Sequence, residues 1–146
     1  MISDSQIALV QSSFEDVLPI ADTAGMLLYE RIFTLAPEVR GLFADDIAPQ
    51  AKRTIGAVKF AVERLGRLDE VAPYLVKLGA RHVNYGVEPE HFPVVGAALM
   101  WTLEQGLGDT FTAEVRDAWA AAWEIVGGSM LTGLLEARAA QQPAAV

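Results

Sequence analysis

Histidine is scarce in this chain, and one of its two copies occupies an unusual place. His82 lies in LGARHVNYG (78–86), and Leu75, Gly79 and Tyr85 recur around it at helical spacing. Residues three and four apart share one face of a helix, so the imidazole is expected on the side where an apolar core belongs. Two interpretations are open: a core histidine satisfied by a nearby hydrogen-bond partner, or a ligand.

This sequence lacks the partner groups that histidine needs for most of its known chemistry. The chain has no cysteine, no G-x-S-x-G motif and no glycine-rich phosphate loop, which argues against the usual nucleophiles and nucleotide sites. No carboxylate expected to face inward falls within one turn of His82, so a histidine–carboxylate metal cluster is not expected. The second histidine, His91, stands among charges in EPEHFP and is interpreted as a solvated or helix-capping side chain.

A lone imidazole can still ligate a planar cofactor that supplies the remaining metal ligands itself. Haem is such a cofactor, because its iron needs one protein nitrogen. It would require apolar helices around a flat ring, an aromatic side chain stacked on that ring, and a polar pair on the open side of the iron. The sequence has no C-x-x-C-H motif, so the cofactor would be haem b held without covalent attachment.

The composition favours one globular domain spanning residues 1–146. Apolar residues make up 52% of the chain, enough to bury a sizeable core. The net charge of −8 argues against nucleic acid and anionic membranes, because binding phosphate needs a basic stripe. The amino terminus lacks the layout of a signal peptide, and the apolar run VVGAALMW (94–101) is too short to span a bilayer. We therefore expect a cytoplasmic protein without membrane insertion.

Hydrophobic periodicity predicts an all-α fold of about seven helices. Three end signals support this prediction: a capping box at Ser3 and Gln6, a cap at Thr112, and Gly86 as a helix stop. GRLDEVA (66–72) is expected to be a connection, and residues 139–146 a frayed tail. The expected helical segments are about 4–17, 20–34, 37–43, 49–65, 73–85, 89–106 and 113–138.

Several stretches of the sequence resemble a known family over nearly the whole chain. The chain is similar to bacterial single-domain globins, which resemble the haem domain of flavohaemoglobins. The most specific part is the Pro37 and Phe43 pair, followed by His82 in a K-x-G-x-[RK]-H setting. The matching stretches are LLYERIFTLAPEVRGLF (27–43), QAKRTIGAVKFAVERL (50–65), VAPYLVKLGARHVNYGV (71–87), EHFPVVGAAL (90–99) and RDAWAAAW (116–123).

The resemblance implies a role for each of five side chains. His82 would be the proximal iron ligand and Phe43 the aromatic residue stacked on the porphyrin. Tyr29 and Gln50 would be the tyrosine and glutamine of the distal pocket. Thr54 stands where these proteins usually carry leucine or valine, which adds a hydroxyl to that pocket.

The same resemblance implies that Gly25 lets the second helix cross the helix beginning near Pro49 closely, next to Ala51. Considered alone, Tyr29 is equally a buried tyrosine with a satisfied hydroxyl, and Gln50 a solvated residue of a first helical turn. Their occurrence together with the proximal histidine favours the functional interpretation. Both can donate a hydrogen bond to polarised dioxygen.

The resemblance therefore implies reversible binding of dioxygen, and of other diatomic gases such as NO or CO, at a five-coordinate ferrous iron. On the proximal side the sequence departs from flavohaemoglobin-like domains, which back the histidine with a tyrosine and a glutamate. Phe92 and Leu134 stand at those positions and relay no proton, so assistance to O–O cleavage should be weaker.

Two other roles stay open. One is a nitric oxide dioxygenase served by an external reductase, since 146 residues leave no room for a reductase domain. The other is a gas-sensing globin that acts through a partner.

Overall fold

Helices make up nearly all of the structure, a computed structural model that describes residues 2–141. No strand occurs in this range, which confirms the all-α fold class. None of the helices in residues 2–141 is long and apolar enough to cross a membrane. The α-helices are α1 (Asp4–Val17), α2 (Ala21–Leu35), α3 (Ala48–Glu63), α4 (Leu68–Arg81), α5 (His91–Leu107) and α6 (Ala113–Gln141).

The described residues thus form six α-helices rather than about seven. The difference arises at Pro37–Leu42, which winds as a 3₁₀-helix. This tighter form is suited to short pieces, and it ends here because Phe43 is extended, with φ −119° and ψ 156°. His82–Tyr85 is likewise a 3₁₀ turn that follows α4.

The prediction of a connection at residues 66–72 is wrong for most of that segment. Helix α4 already begins at Leu68, so Pro73 lies inside it. Val71 and Leu75 are both buried, and the helical conformation puts these two side chains on one inward face. Asp69 and Glu70 also stand in the first turn, where negative charge favours a helix.

The predicted helix end signals are present. The Ser3 hydroxyl accepts from the Gln6 amide while the Gln6 side chain accepts from the Ser3 amide, which is the expected capping box. Thr112 accepts from the Val115 amide at 3.3 Å, and Gly86 ends the 3₁₀ turn in the left-handed region with φ 79°. Of the expected frayed tail, residues 139–141 belong to α6, and residues 142–146 lie outside the described range.

The core consists of two apolar clusters. The larger one joins α1, α2, α3, α5 and α6, and beside it lies a buried polar link in which the Trp119 indole N–H donates to Ser13 Oγ at 2.8 Å. The smaller cluster joins α2, α3 and α5 and includes Tyr29, which is only 5% exposed. The residues proposed for the distal pocket therefore lie at this smaller cluster.

A close crossing of α2 and α3 determines which side chains of the two helices meet. A Cβ added to Gly25 would lie 3.1 Å from the Ala51 carbonyl oxygen and 3.1 Å from Ile55 Cγ1. The close approach expected at Gly25 is therefore observed. Tyr29 lies one turn further along α2 on the same face, which brings its ring to α3.

The link between Ser13 and Trp119 gives a stability prediction. Replacing Ser13 by alanine leaves a buried indole N–H without a partner, so the free energy of unfolding should fall by about 1–3 kcal/mol. Ser12→Ala is the matched control, because Ser12 is exposed and should change it by less than about 0.5 kcal/mol. Urea unfolding followed by circular dichroism measures both, and equal midpoints for the two variants would contradict the assignment.

Candidate functional site

His82 is partly buried at the end of α4, and its ring is held by the main chain. Its Nδ1 lies 2.6 Å from the carbonyl oxygen of Leu78, one turn earlier. A carbonyl oxygen can only accept, so Nδ1 carries the proton, and in the neutral ring Nε2 has a free lone pair. No hydrogen bond to Nε2 occurs within residues 2–141. The hydrogen bond to Leu78 therefore leaves Nε2 as the ring nitrogen that could ligate a metal.

Tyr85 does not lie on the buried face where the sequence suggested it would. Its side chain is 56% exposed, and its ring stands edge-on to His82 with centroids 5.4 Å apart. The chain tightens to a 3₁₀ turn from His82 onward, where residues three apart eclipse each other. Tyr85 therefore lies beside the imidazole at the surface rather than in the core.

The position of α4 is fixed by its contact with α6. A Cβ on Gly79 would overlap the main chain of Met130, and one on Gly133 would overlap the carbonyl of Val76. The two helices thus pack main chain against main chain, at Gly79 of α4 and at Gly133 of α6. Because His82 follows directly at the end of α4, this contact sets where the imidazole stands.

Tyr29, Gln50 and Thr54 form one hydrogen-bonded group, here called the distal trio. The Tyr29 hydroxyl lies 2.6 Å from the Thr54 hydroxyl. The Gln50 amide nitrogen lies 3.1 Å from the Tyr29 oxygen and 3.4 Å from the Thr54 oxygen. Gln50 and Thr54 stand one turn apart on α3, and the crossing at Gly25 supplies the tyrosine from α2.

Arg53 contacts the distal trio from outside, a contact that sequence analysis missed. Its Nη2 donates to the Gln50 side-chain oxygen at 2.9 Å. Arg53 lies three residues after Gln50 on α3, a spacing at which side chains of one helix meet. The spacing was visible in the sequence, but nothing there showed which end of the amide the arginine would contact.

Phe43 packs against the tyrosine of the distal trio. The Phe43 and Tyr29 rings are in edge-to-face contact with centroids 5.3 Å apart, and Phe33 lies 5.6 Å from Phe43. The Arg40 guanidinium holds the turn by donating to the carbonyls of Phe43, Ala44 and Asp45, and it lies 4.9 Å from the Phe33 ring centroid. Sequence analysis had not assigned Phe33 or Arg40 to the site.

The structure joins four of the five predicted residues directly and leaves His82 apart. No hydrogen bond or ring contact within residues 2–141 links His82 to Phe43 or to the distal trio. The two halves meet instead through their turns, since a Cβ on Gly86 would lie 3.1 Å from Leu42 Cδ2.

The two positions at which the resemblance implies a departure on the proximal side carry buried apolar side chains. Phe92 is 8% exposed and Leu134 is fully buried. The imidazole N–H of His82 has a main-chain carbonyl as its acceptor, rather than a carboxylate. A neutral acceptor increases the electron donation of a histidine ligand less than an ionised one does.

The matches to known proteins agree with this geometry. Residues 27–130 match the sequence model of the globin family. This chain is a globin. Neuroglobin from Tetraodon nigroviridis is 27% identical over 90% of the chain and 92% of its own length. Flavohemoproteins from Bacillus subtilis and Pseudomonas aeruginosa are 26% and 31% identical over 90% and 85% of the chain. The chain spans about a third of their length, 34% and 33% respectively.

A solved bacterial globin from Campylobacter jejuni has the same fold. Its TM-score is 0.83, with 94% of this chain and 99% of that chain covered, at 21% sequence identity. The expected family and fold are thus confirmed, and haem binding follows from membership of the globin family.

The donor set fits a haem rather than a bare metal ion. No group of three or more His, Cys, Asp or Glu suited to a metal occurs in residues 2–141. A single imidazole with a free Nε2 suits a metal whose other ligands come from a porphyrin. The residues that would hold the group are His82 on one side and Phe43 against the ring.

The contact between α4 and α6 gives the second prediction. Gly79→Ala forces the two main chains apart and should lower the free energy of unfolding by about 1–3 kcal/mol or more. Gly128→Ala, also in α6, is the matched control, because nothing lies within 4 Å of its added Cβ. That variant should gain about 0.5–1 kcal/mol from helix propensity. Thermal unfolding of both variants decides the matter, and a Gly79→Ala protein as stable as the parent would disprove the close contact.

Proposed function

We propose that this globin holds haem b through His82 and reversibly binds dioxygen and other diatomic gases at a five-coordinate ferrous iron. The haem iron, when bound, supplies an open coordination position at which a diatomic ligand becomes polarised. The observation that carries the proposal is the distal trio, a group of polar side chains at the edge of an apolar cluster. A bacterial, cytoplasmic setting is part of the proposal.

Each side chain of the site has a defined task in this function. Nδ1 of His82 donates to the Leu78 carbonyl, which holds the ring in one tautomer, and Nε2 would hold the metal. Tyr29 and Gln50 would each offer a hydrogen bond to a polarised ligand. Phe43 packs on Tyr29 and, with the apolar residues around it, keeps water from the ligand.

A five-coordinate resting state follows from where the other nitrogen bases lie. His91 Nδ1 accepts a hydrogen bond from the Glu88 main-chain amide at 3.0 Å, in the turn before α5, so it does not have the helix-capping role considered for it in the sequence. Lys52 is exposed on α3, between Ala51, which is buried, and Arg53, which faces outward. We therefore expect neither side chain to become a sixth ligand.

Nitric oxide dioxygenase activity is a second candidate, favoured by the Tyr29 and Gln50 pair and by the flavohemoprotein relatives. In that reaction NO and dioxygen would combine to give nitrate, with one electron supplied by an external reductase. Phe92 and Leu134 offer no proton relay to His82, which favours ligand binding over dedicated turnover. Slow nitrate formation with an added reductase would agree with the first function, and rapid turnover would favour the second.

Haem ligation by His82 is tested by the absorption spectrum. The purified protein should show an intense Soret band and a five-coordinate, high-spin ferrous spectrum. His82→Ala should lose or weaken the band, whereas His91→Ala should keep it, because His91 Nδ1 is occupied by the Glu88 amide in the turn before α5. A colourless parent protein that hemin cannot reconstitute would refute the proposal, and a low-spin ferrous spectrum without added ligand would refute five-coordination.

Distal hydrogen bonding is tested by the rate of dioxygen release. Hydrogen bonds to charged groups contribute about 1.5–3 kcal/mol, so Tyr29→Phe and Gln50→Leu should each speed release by roughly ten- to a hundredfold. Carbon monoxide is less polarised, and its release should change far less. Tyr74→Phe is the control, since Tyr74 packs on Phe60 away from the distal trio. Unchanged dioxygen release in both variants would make Tyr29 and Gln50 structural residues.

A further inference from the structure

Arg53 and the distal trio contact opposite ends of the Gln50 amide. The guanidinium donates to the amide oxygen at 2.9 Å, and the amide nitrogen lies 3.1 Å from the Tyr29 hydroxyl. An amide can turn over by exchanging its oxygen and nitrogen with little change of shape, so its orientation depends on its partners. A guanidinium only donates, so it can pair with the oxygen end and not with the NH₂ end.

The orientation of the amide decides how many protons the trio has for a ligand. In the observed orientation, the NH₂ group donates toward both hydroxyl oxygens, of Tyr29 and Thr54. The 2.6 Å bond between the two hydroxyls uses one of their two protons. One hydroxyl proton is therefore left over, in addition to any hydrogen bond that Gln50 itself makes.

The reversed orientation of the Gln50 amide leaves no hydroxyl proton free for a ligand. The amide oxygen would then face the two hydroxyls and accept a proton from one of them. The remaining hydroxyl proton would stay in the bond between Tyr29 and Thr54. A ligand in the pocket would face hydroxyl lone pairs, which repel a polarised, electron-rich atom instead of stabilising it.

We infer that Arg53 is a positioning residue that keeps the Gln50 amide with its NH₂ group toward Tyr29, and so keeps one hydroxyl proton of the trio free for the gas ligand. This inference rests on the proposed function, because it concerns the ligand in the distal pocket. It assigns a role to an exposed residue that contacts the distal trio through the Gln50 side-chain oxygen.

The test compares Arg53→Met with Arg53→Lys in the haem-containing protein. Arg53→Met removes the donor but keeps an apolar side chain of similar reach. Dioxygen release should become about threefold to tenfold faster, and the C–O stretching band of the carbon monoxide complex should move to higher frequency. Arg53→Lys keeps a cationic donor and should restore most of both values.

Two controls separate the amide from the charge. Lys52→Met removes a neighbouring exposed cation and should change neither value. In a Gln50→Leu background, Arg53→Met should add no further effect, because the amide through which it acts is gone.

The outcomes distinguish this inference from the proposed function. A normal Soret band and normal dioxygen binding, with no effect of Arg53→Met, would overturn the role of Arg53 alone. An equal effect of Lys52→Met, or an effect that persists in the Gln50→Leu background, would overturn it too, in favour of a general charge effect. A protein that takes up no haem would overturn the proposed function and this inference together.

Discussion

The contact of α4 with α6 is the constraint on which the proximal half of the site depends. Glycine on both helices lets two main chains touch, and no side chain stands between them that could adjust its conformation. Such a contact has little freedom, because packed interiors transmit a displacement instead of absorbing it. The imidazole of His82 lies at the end of α4, so the contact between the helices also fixes its position. The hydrogen bond from its Nδ1 to the Leu78 carbonyl then restricts rotation of the ring.

The two sides of the site differ in chemistry in a way that suits binding more than bond cleavage. The acceptor of the His82 imidazole N–H is a main-chain carbonyl, and the positions that the resemblance implies behind it carry the buried apolar residues Phe92 and Leu134. The distal trio brings three hydroxyl or amide groups within hydrogen-bond distance of one another. In the proposed function, most polar groups would lie where a bound ligand carries charge, and few would lie where the metal needs added electron donation.

Much of the fold could be predicted from the sequence, because it depends on local signals. Helical periodicity, the capping box at Ser3 and the stop at Gly86 are each determined by neighbours within a turn. The start of α4 could not be predicted in this way. There the burial of Val71, a tertiary effect, outweighs the signals of GRLDEVA and of Pro73, which suggested a connection.

The site residues were predictable as a set of types and spacings, but their mutual contacts were not. Spacing along α3 puts Gln50, Arg53 and Thr54 within reach of one another, yet it does not say which atoms pair. That depends on Tyr29, which comes from another helix through the crossing at Gly25. The exposure of Tyr85 was missed for a related reason, since a change from α to 3₁₀ winding alters the direction of a side chain without changing the sequence pattern.

The contact of Leu42 with the main chain at Gly86 joins the turn that carries Phe43 to the turn that follows His82. In the proposed function, the ring that would pack on the haem and the nitrogen that would ligate its iron are therefore held by turns that pack against each other. A substitution that shifts either turn changes the space available to the other, so the effects of substitutions at Leu42 and Gly86 will not add. Leu42 and Gly86 are coupled in this way although they are 44 residues apart in the sequence.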